Sequence, residues 1–105
     1  MKKGGEYMPQ VSSSSVLTRV EDVEWEAVGD EVFMRSPSGT VHLLNASASR
    51  LWEGLNGQAT IADLAEALHA KYPSVTLETI VADVIEMATE FLDKEVALLL
   101  TREEG

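Results

Sequence analysis

Residues 41–61 read VHLLNASASRLWEGLNGQATI, and the spacing of their apolar residues changes partway along. Thr40–Leu44 is a short run of strand-forming residues. After Asn45 the apolar residues recur at i, i+3, i+4 and i+7, the spacing of one helix face. These residues are Ala48, Leu51, Trp52 and Leu55. Asn45 or Ser47 can cap the helix, and Gly57 can supply a left-handed stop. The stretch therefore predicts a strand followed directly by a short helix.

Two further strands are predicted upstream of this junction. Val23–Val28 alternates apolar and acidic residues, the pattern of a half-buried strand, and Gly29-Asp30 then supplies a tight turn. Glu31–Arg35 is a second run of strand formers, followed by the turn-rich segment Ser36–Gly39. Three strands joined by short turns predict a three-stranded antiparallel meander.

Two more helices are predicted downstream. Thr60–Asp63 resembles a capping box at the start of a second helix, which Pro73 ends. Thr76 can cap a third helix that runs to about Lys94. The order of three strands followed by three helices predicts an α+β fold, because parallel α/β folds alternate the two elements.

The third helix carries two apolar rows, which together span roughly 160° of its circumference, wider than the ~100° that packing on one side requires. One row is Val81, Ile85, Ala88 and Leu92, and the other is Ile80, Val84, Met87 and Phe91. Two interpretations remain open at this point. The helix could pack on both sides within the core, or one row could line an apolar groove that receives a ligand.

The ends of the chain differ in composition from its centre. Residues 1–19 are polar, with glycines near the start and the run Ser12–Ser15, and we expect a flexible tail. Val16-Leu17 could begin a strand within it. The domain is predicted over residues 20–100, and a short C-terminal tail over residues 101–105.

Composition excludes several classes of function. The chain has 18 acidic and 8 basic side chains and a net charge of −10, which disfavours binding to nucleic acid or to an anionic membrane. It has no cysteine and no transmembrane-length apolar run, so a cytoplasmic protein is expected.

His42 and His69 have no metal-ligand spacing, and no catalytic constellation is visible. We therefore expect no enzyme activity, no metal and no cofactor. The acidic cluster in residues 21–31 is either a solvated face or a surface for a basic partner.

A set of core and capping residues carries a family resemblance. It comprises Leu44-Asn45, Ala48, Leu51-Trp52, Leu55, Gly57, Thr60-Ile61, Leu64, Leu68, Tyr72, Val75, Asp83-Val84, Phe91-Leu92 and Leu98-Leu99. Through these residues the stretch Thr40–Leu99 resembles the PqqD-like family, small peptide-binding chaperones also called RiPP recognition elements. The family often has a glycine before its last Leu-Leu, where this chain has Glu95–Ala97. A strand and an additional helix therefore both remain open for Leu98–Leu100.

The resemblance implies a winged helix-turn-helix-like fold and a non-catalytic function. Similar proteins bind the leader segment of a ribosomally synthesised precursor peptide and present it to a modifying enzyme, often a radical SAM protein. The leader adds a strand to the edge of the third strand and lies against the third helix. The implied peptide-binding residues are Val41, His42, Leu43, Leu44, Ile80, Asp83, Val84 and Met87.

A second interpretation is a winged-helix regulator that binds DNA or dimerises. The predicted third helix has only Lys94 as a basic residue, at its far end, among five acidic residues. This charge opposes DNA binding. A homodimer in which a second copy fills the groove remains open.

Overall fold

The computed structural model describes residues 11–100, which form two three-stranded antiparallel sheets and three helices. In chain order the elements are β1 (Val16–Arg19), β2 (Glu24–Val28), β3 (Glu31–Arg35), β4 (Val41–Leu44), α1 (Ala46–Gly54), β5 (Asn56–Thr60), α2 (Ile61–Lys71), α3 (Leu77–Asp93) and β6 (Ala97–Leu100). One sheet has the strand order β2-β3-β4 and the other has the order β5-β1-β6. The fold is α+β, as predicted. The predicted order of three strands followed by three helices is wrong, because β1 precedes the three strands, β5 lies between α1 and α2, and β6 follows α3.

The β2-β3-β4 sheet is built from two hairpins with short loops. Gly29 takes a positive φ of 61° in the two-residue turn between β2 and β3. Between β3 and β4, the Ser36 N–H donates to the Thr40 carbonyl at 2.9 Å, and Gly39 adopts a φ of 96°. A three-residue loop with glycine in this conformation is a common hairpin connection. Val32 and Met34 of β3 are buried and their neighbours are exposed, so one face of this sheet packs on the core.

The second sheet corrects the sequence prediction. Val16–Arg19 forms its central strand, with Leu17 only 1% exposed, whereas a flexible tail was expected through residue 19. Its partners are β5, where only a helix junction was expected, and β6, which settles Leu98–Leu100 as strand. These strands are short and pair with residues far away in the chain, so no local pattern reveals them. Residues 1–10 and the C-terminal tail predicted over 101–105 lie outside the described part of the chain.

The helix starts follow the capping residues, and one helix end differs from expectation. The Asn45 side chain accepts a hydrogen bond from the Ala48 N–H at 2.9 Å at the start of α1, and Thr76 caps α3 in the same way. Thr60 and Asp63 form the predicted capping box of α2. The prediction that Gly57 ends α1 is wrong. The helix ends at Gly54, and Gly57 takes its positive φ of 81° within β5, facing Thr18 of β1.

An aromatic cluster joins the two sheets to the helices. Trp52 of α1 is fully buried and makes edge-to-face contacts with Trp25 of β2 and Phe91 of α3, at centroid distances of 6.0 and 5.4 Å. The Arg19 guanidinium lies 5.2 Å from the Trp25 ring and donates to the carbonyls of Trp52 and Glu53 at the end of α1. A cation there satisfies carbonyls that a helix terminus leaves free. None of the helices described is long and apolar enough to cross a membrane.

Candidate functional site

Strand β4 forms one edge of its sheet. It pairs with β3 on one side, and within residues 11–100 no strand pairs with its other side. An open strand edge presents N–H and C=O groups that can bond to an added strand. β4 is therefore a candidate for binding an extended peptide.

The alternation of the ladder shows which backbone groups of β4 are free. Ser36 donates to Thr40, so Thr40 turns its backbone groups towards β3, and every second residue, His42 and Leu44, does the same. The N–H and C=O groups of Val41 and Leu43 consequently point towards the open edge. These two residues offer two donors and two acceptors to an incoming strand.

The side chains of β4 alternate between the core face and the outer face of the sheet. His42 and Leu44 lie opposite Met34 and Val32 on the core face, where His42 is half-buried and Leu44 is buried. Val41 and Leu43 project from the outer face and are 58% and 56% exposed. The four predicted peptide-binding residues of β4 thus lie in one strand. Two of their side chains face the core and two face outwards.

A small cavity of about 180 Å³ lies between the start of α1, the end of α2 and the start of α3. Its walls are mainly apolar and are formed by Ser47, Leu68, Tyr72, Val75, Ile80, Asp83 and Val84. A buried apolar cavity of ~150 Å³ accommodates benzene, so this volume suits one large apolar side chain. Asp83 is exposed and places a carboxylate at the rim of the cavity.

The cavity lies close to one end of the open edge. Leu44 ends β4 and Ser47 lines the cavity, and three Cα–Cα steps of ~3.8 Å keep their Cα atoms within about 11 Å of each other. The Ser49 hydroxyl holds this junction by donating to the Leu44 carbonyl at 3.1 Å. A peptide that extends past the end of β4 would reach the cavity within a few residues.

Three of the four residues predicted on α3 meet at this cavity. Ile80 and Val84 are buried and form its inner wall, next to Asp83. Met87 does not line it. Met87 is half-buried against the core, one helical turn beyond Asp83 on the same side of α3.

The two apolar rows of α3 both contribute to the core. Ile80, Val84 and Phe91 of one row and Ala88 of the other are buried, and the remaining members are partly buried against them. The wide apolar arc therefore reflects packing of a long helix on more than one side. A cavity lies where the start of α3, from Ile80 to Val84, meets the end of α2 and the start of α1.

The cavity residues outside α3 were not among the predicted peptide-binding residues. The sequence indicates a capping role for Ser47, and core or family positions for Leu68, Tyr72 and Val75. Tyr72 and Val75 flank the turn after α2, and only the structure shows that they are 38% and 37% exposed. Neighbouring exposed apolar residues are typical of a binding surface, but periodicity does not place these two next to Ser47.

The charge around the site is acidic. Glu78, Asp83, Glu86, Glu90 and Asp93 are exposed along α3, and Lys94 is the basic residue at its end. Phosphate groups need clustered lysine and arginine, so this face is unsuited to nucleic acid. It suits a ligand that is apolar with some basic residues.

The fold and the site define a small α+β domain with an open strand edge beside an apolar cavity. The family model of coenzyme PQQ synthesis protein D (PqqD) matches residues 30–97, more than half of the 105 residues. The chain belongs to this family, and the resemblance deduced from its sequence is confirmed. No curated protein gave a sequence match.

Two solved structures share the fold. One is TbiB1 in complex with the TbiA(beta) leader peptide, with 25% identity and a TM-score of 0.70, covering 83% of this chain and 99% of that one. The other is the PqqD truncation of Methylobacterium extorquens PqqCD, described as a functional and stand-alone RiPP recognition element. It has 20% identity and a TM-score of 0.69, covering 84% of this chain and 94% of that one.

Proposed function

We propose that this protein binds the leader segment of a ribosomally synthesised precursor peptide and presents it to a modifying enzyme. The observation that carries the proposal is the open edge of β4 next to the apolar cavity on α3. The family and the leader-bound neighbour TbiB1 support the same ligand class. The arrangement is winged helix-turn-helix-like in this proposal, with the β2-β3-β4 sheet as the wing.

The leader binds as an added strand along β4. The free N–H and C=O groups of Val41 and Leu43 bond to its backbone, which sets register with little demand on its sequence. His42 and Leu44 hold β4 in place through their bonds to β3. Backbone pairing thus supplies part of the affinity, while side-chain contacts supply selectivity.

The cavity receives one large apolar side chain of the leader. Ile80 and Val84 form the inner wall, and Met87 adds an adaptable apolar contact one turn further along α3. Asp83 at the rim pairs with a leader lysine or arginine. Such an exposed pair contributes only ~0–1 kcal/mol, so its effect is on selectivity more than on affinity.

The proposed activity is binding without catalysis, in the cytoplasm. No step in leader recognition requires a nucleophile, a metal or a cofactor, since strand addition and cavity filling are non-covalent. The modifying enzyme supplies the chemistry, and a radical SAM protein is the class that the family resemblance favours.

The proposal is tested by titrating ¹⁵N-labelled protein with a synthetic leader from the precursor encoded nearest its gene. We expect amide shifts at Val41 and Leu43, and at Ile80–Met87 on α3. A scrambled leader of equal composition is the matched control. Shifts confined to other regions, or no binding, contradict the proposal, and self-pairing of two β4 edges would appear as a concentration-dependent shift without peptide.

A further inference from the structure

The outer face of the β2-β3-β4 sheet carries an exposed apolar patch. Phe33 of the central strand is 43% exposed and lies directly opposite Leu43, which is 56% exposed, with Val41 beside them at 58%. Single exposed apolar residues are ordinary, whereas a contiguous exposed apolar patch is a candidate interaction surface. We name Phe33, Val41 and Leu43 the outer patch.

An added strand at β4 does not cover this patch. The leader would lie in the plane of the sheet, hydrogen-bonded to the edge, at about 4.8 Å from β4 and twice that from β3. Phe33 projects from β3 at right angles to that plane, so it stays exposed. The leader instead places every second side chain beside Val41 and Leu43, which enlarges the same face.

Acidic residues of β2 and β3 border the outer patch on the side away from the open edge of β4. Glu26 lies opposite Phe33 across the β2–β3 ladder, and Glu24 and Glu31 share the face. Arg35 is the basic residue there, and its guanidinium already lies 3.7 Å from the Glu24 carboxylate. Two copies meeting through this face would bring their glutamates together, which opposes a dimer. A partner with an apolar centre and basic rim fits the charge.

We propose that the outer patch is the docking surface for the peptide-modifying enzyme, which presents a lysine- or arginine-rimmed apolar surface to it. The inference rests on the proposed function and extends it by assigning the second partner to a separate face. The enzyme contacts Phe33 together with outward side chains of the bound leader. It therefore binds the leader-loaded protein more tightly than the free protein.

The test measures binding of the purified modifying enzyme encoded beside this protein, with and without the leader, by biolayer interferometry. Phe33→Ser should weaken enzyme binding about tenfold or more, because an aromatic residue central to an interface commonly dominates its affinity. Leader affinity, measured separately by fluorescence anisotropy, should not change. Leu98→Ser is the matched control, since Leu98 is 55% exposed on the other sheet.

A charge reversal tests the rim independently of the apolar centre. Glu26→Lys should weaken enzyme binding, with a larger effect at low than at high salt. Glu66→Lys on α2 makes the same change in net charge at an exposed position elsewhere and should leave binding unchanged. Both variants alter exposed residues, so both should fold.

Several outcomes overturn the inference. The inference is wrong if Phe33→Ser binds the enzyme as tightly as the wild-type protein does. It is also wrong if the two control variants lose as much enzyme affinity as the test variants. A dimer in sedimentation experiments that Phe33→Ser abolishes would assign the patch to a second copy instead. Failure of the leader to bind refutes the proposed function, whereas loss of enzyme binding with leader affinity retained separates the two faces.

Discussion

Replacing Leu43 by proline tests strand addition through one backbone N–H group, that of Leu43. The Leu43 N–H points to the open edge of β4, since the ladder to β3 uses His42 and Leu44. Proline removes that N–H but leaves the bonds to β3 intact, and edge strands tolerate proline at such positions. Leu43→Ala is the matched control, because it shortens the side chain and keeps the donor.

The expected loss of affinity follows from the hydrogen bond. A backbone hydrogen bond contributes about 0.5–1.5 kcal/mol, and a carbonyl left without its donor adds ~1–3 kcal/mol where water is excluded. A total near 2 kcal/mol corresponds to roughly a 30-fold rise in Kd. Folding stability should change by less than about 1 kcal/mol, because no bond within the sheet is lost.

The assay combines calorimetric titration of the synthetic leader with urea unfolding of each variant. His42→Pro provides the reverse case, since it removes a donor that faces β3 and should destabilise the domain. Equal leader affinity for Leu43→Pro and Leu43→Ala would refute strand addition at this edge. Strong unfolding of Leu43→Pro would show that the Leu43 N–H bonds to β3 and does not face the open edge.

Three further predictions concern the cavity and the core. Ser47→Phe should fill the cavity and lower leader affinity about tenfold with little change in unfolding free energy; unchanged affinity would mean that the cavity is not used. Asp83→Lys should weaken binding of a basic leader up to about fivefold at low salt and hardly at ~1 M salt, with Glu66→Lys on α2 as control, measured by anisotropy. Trp52→Ala should cost about 3–5 kcal/mol in urea unfolding, and Trp52→Phe clearly less. The reason is that the buried Trp52 indole N–H has no hydrogen-bond partner among residues 11–100, so phenylalanine loses no bond there; equal costs would contradict this.

Local pattern was sufficient for the elements whose residues are close in sequence. Alternation and turn chemistry identified β2, β3 and β4, and capping residues located the starts of α1, α2 and α3. These signals are reliable because a hairpin or a helix start forms from groups a few residues apart. They also sufficed for the family, since its recognisable positions are mostly core and cap residues of those elements.

The sequence by itself therefore determined the α+β class, the family and β4 as a candidate binding strand. Only the tertiary structure decided that Val16–Arg19 joins β5 and β6, because those pairings span tens of residues. It also decided that the start of α3 borders a cavity. Periodicity states which residues share a face, whereas the space between Ser47, Tyr72 and Ile80 depends on how three helices meet. The acidic residues of α3 could be counted from the sequence, but only the fold shows that Asp83 lies at the rim of that space.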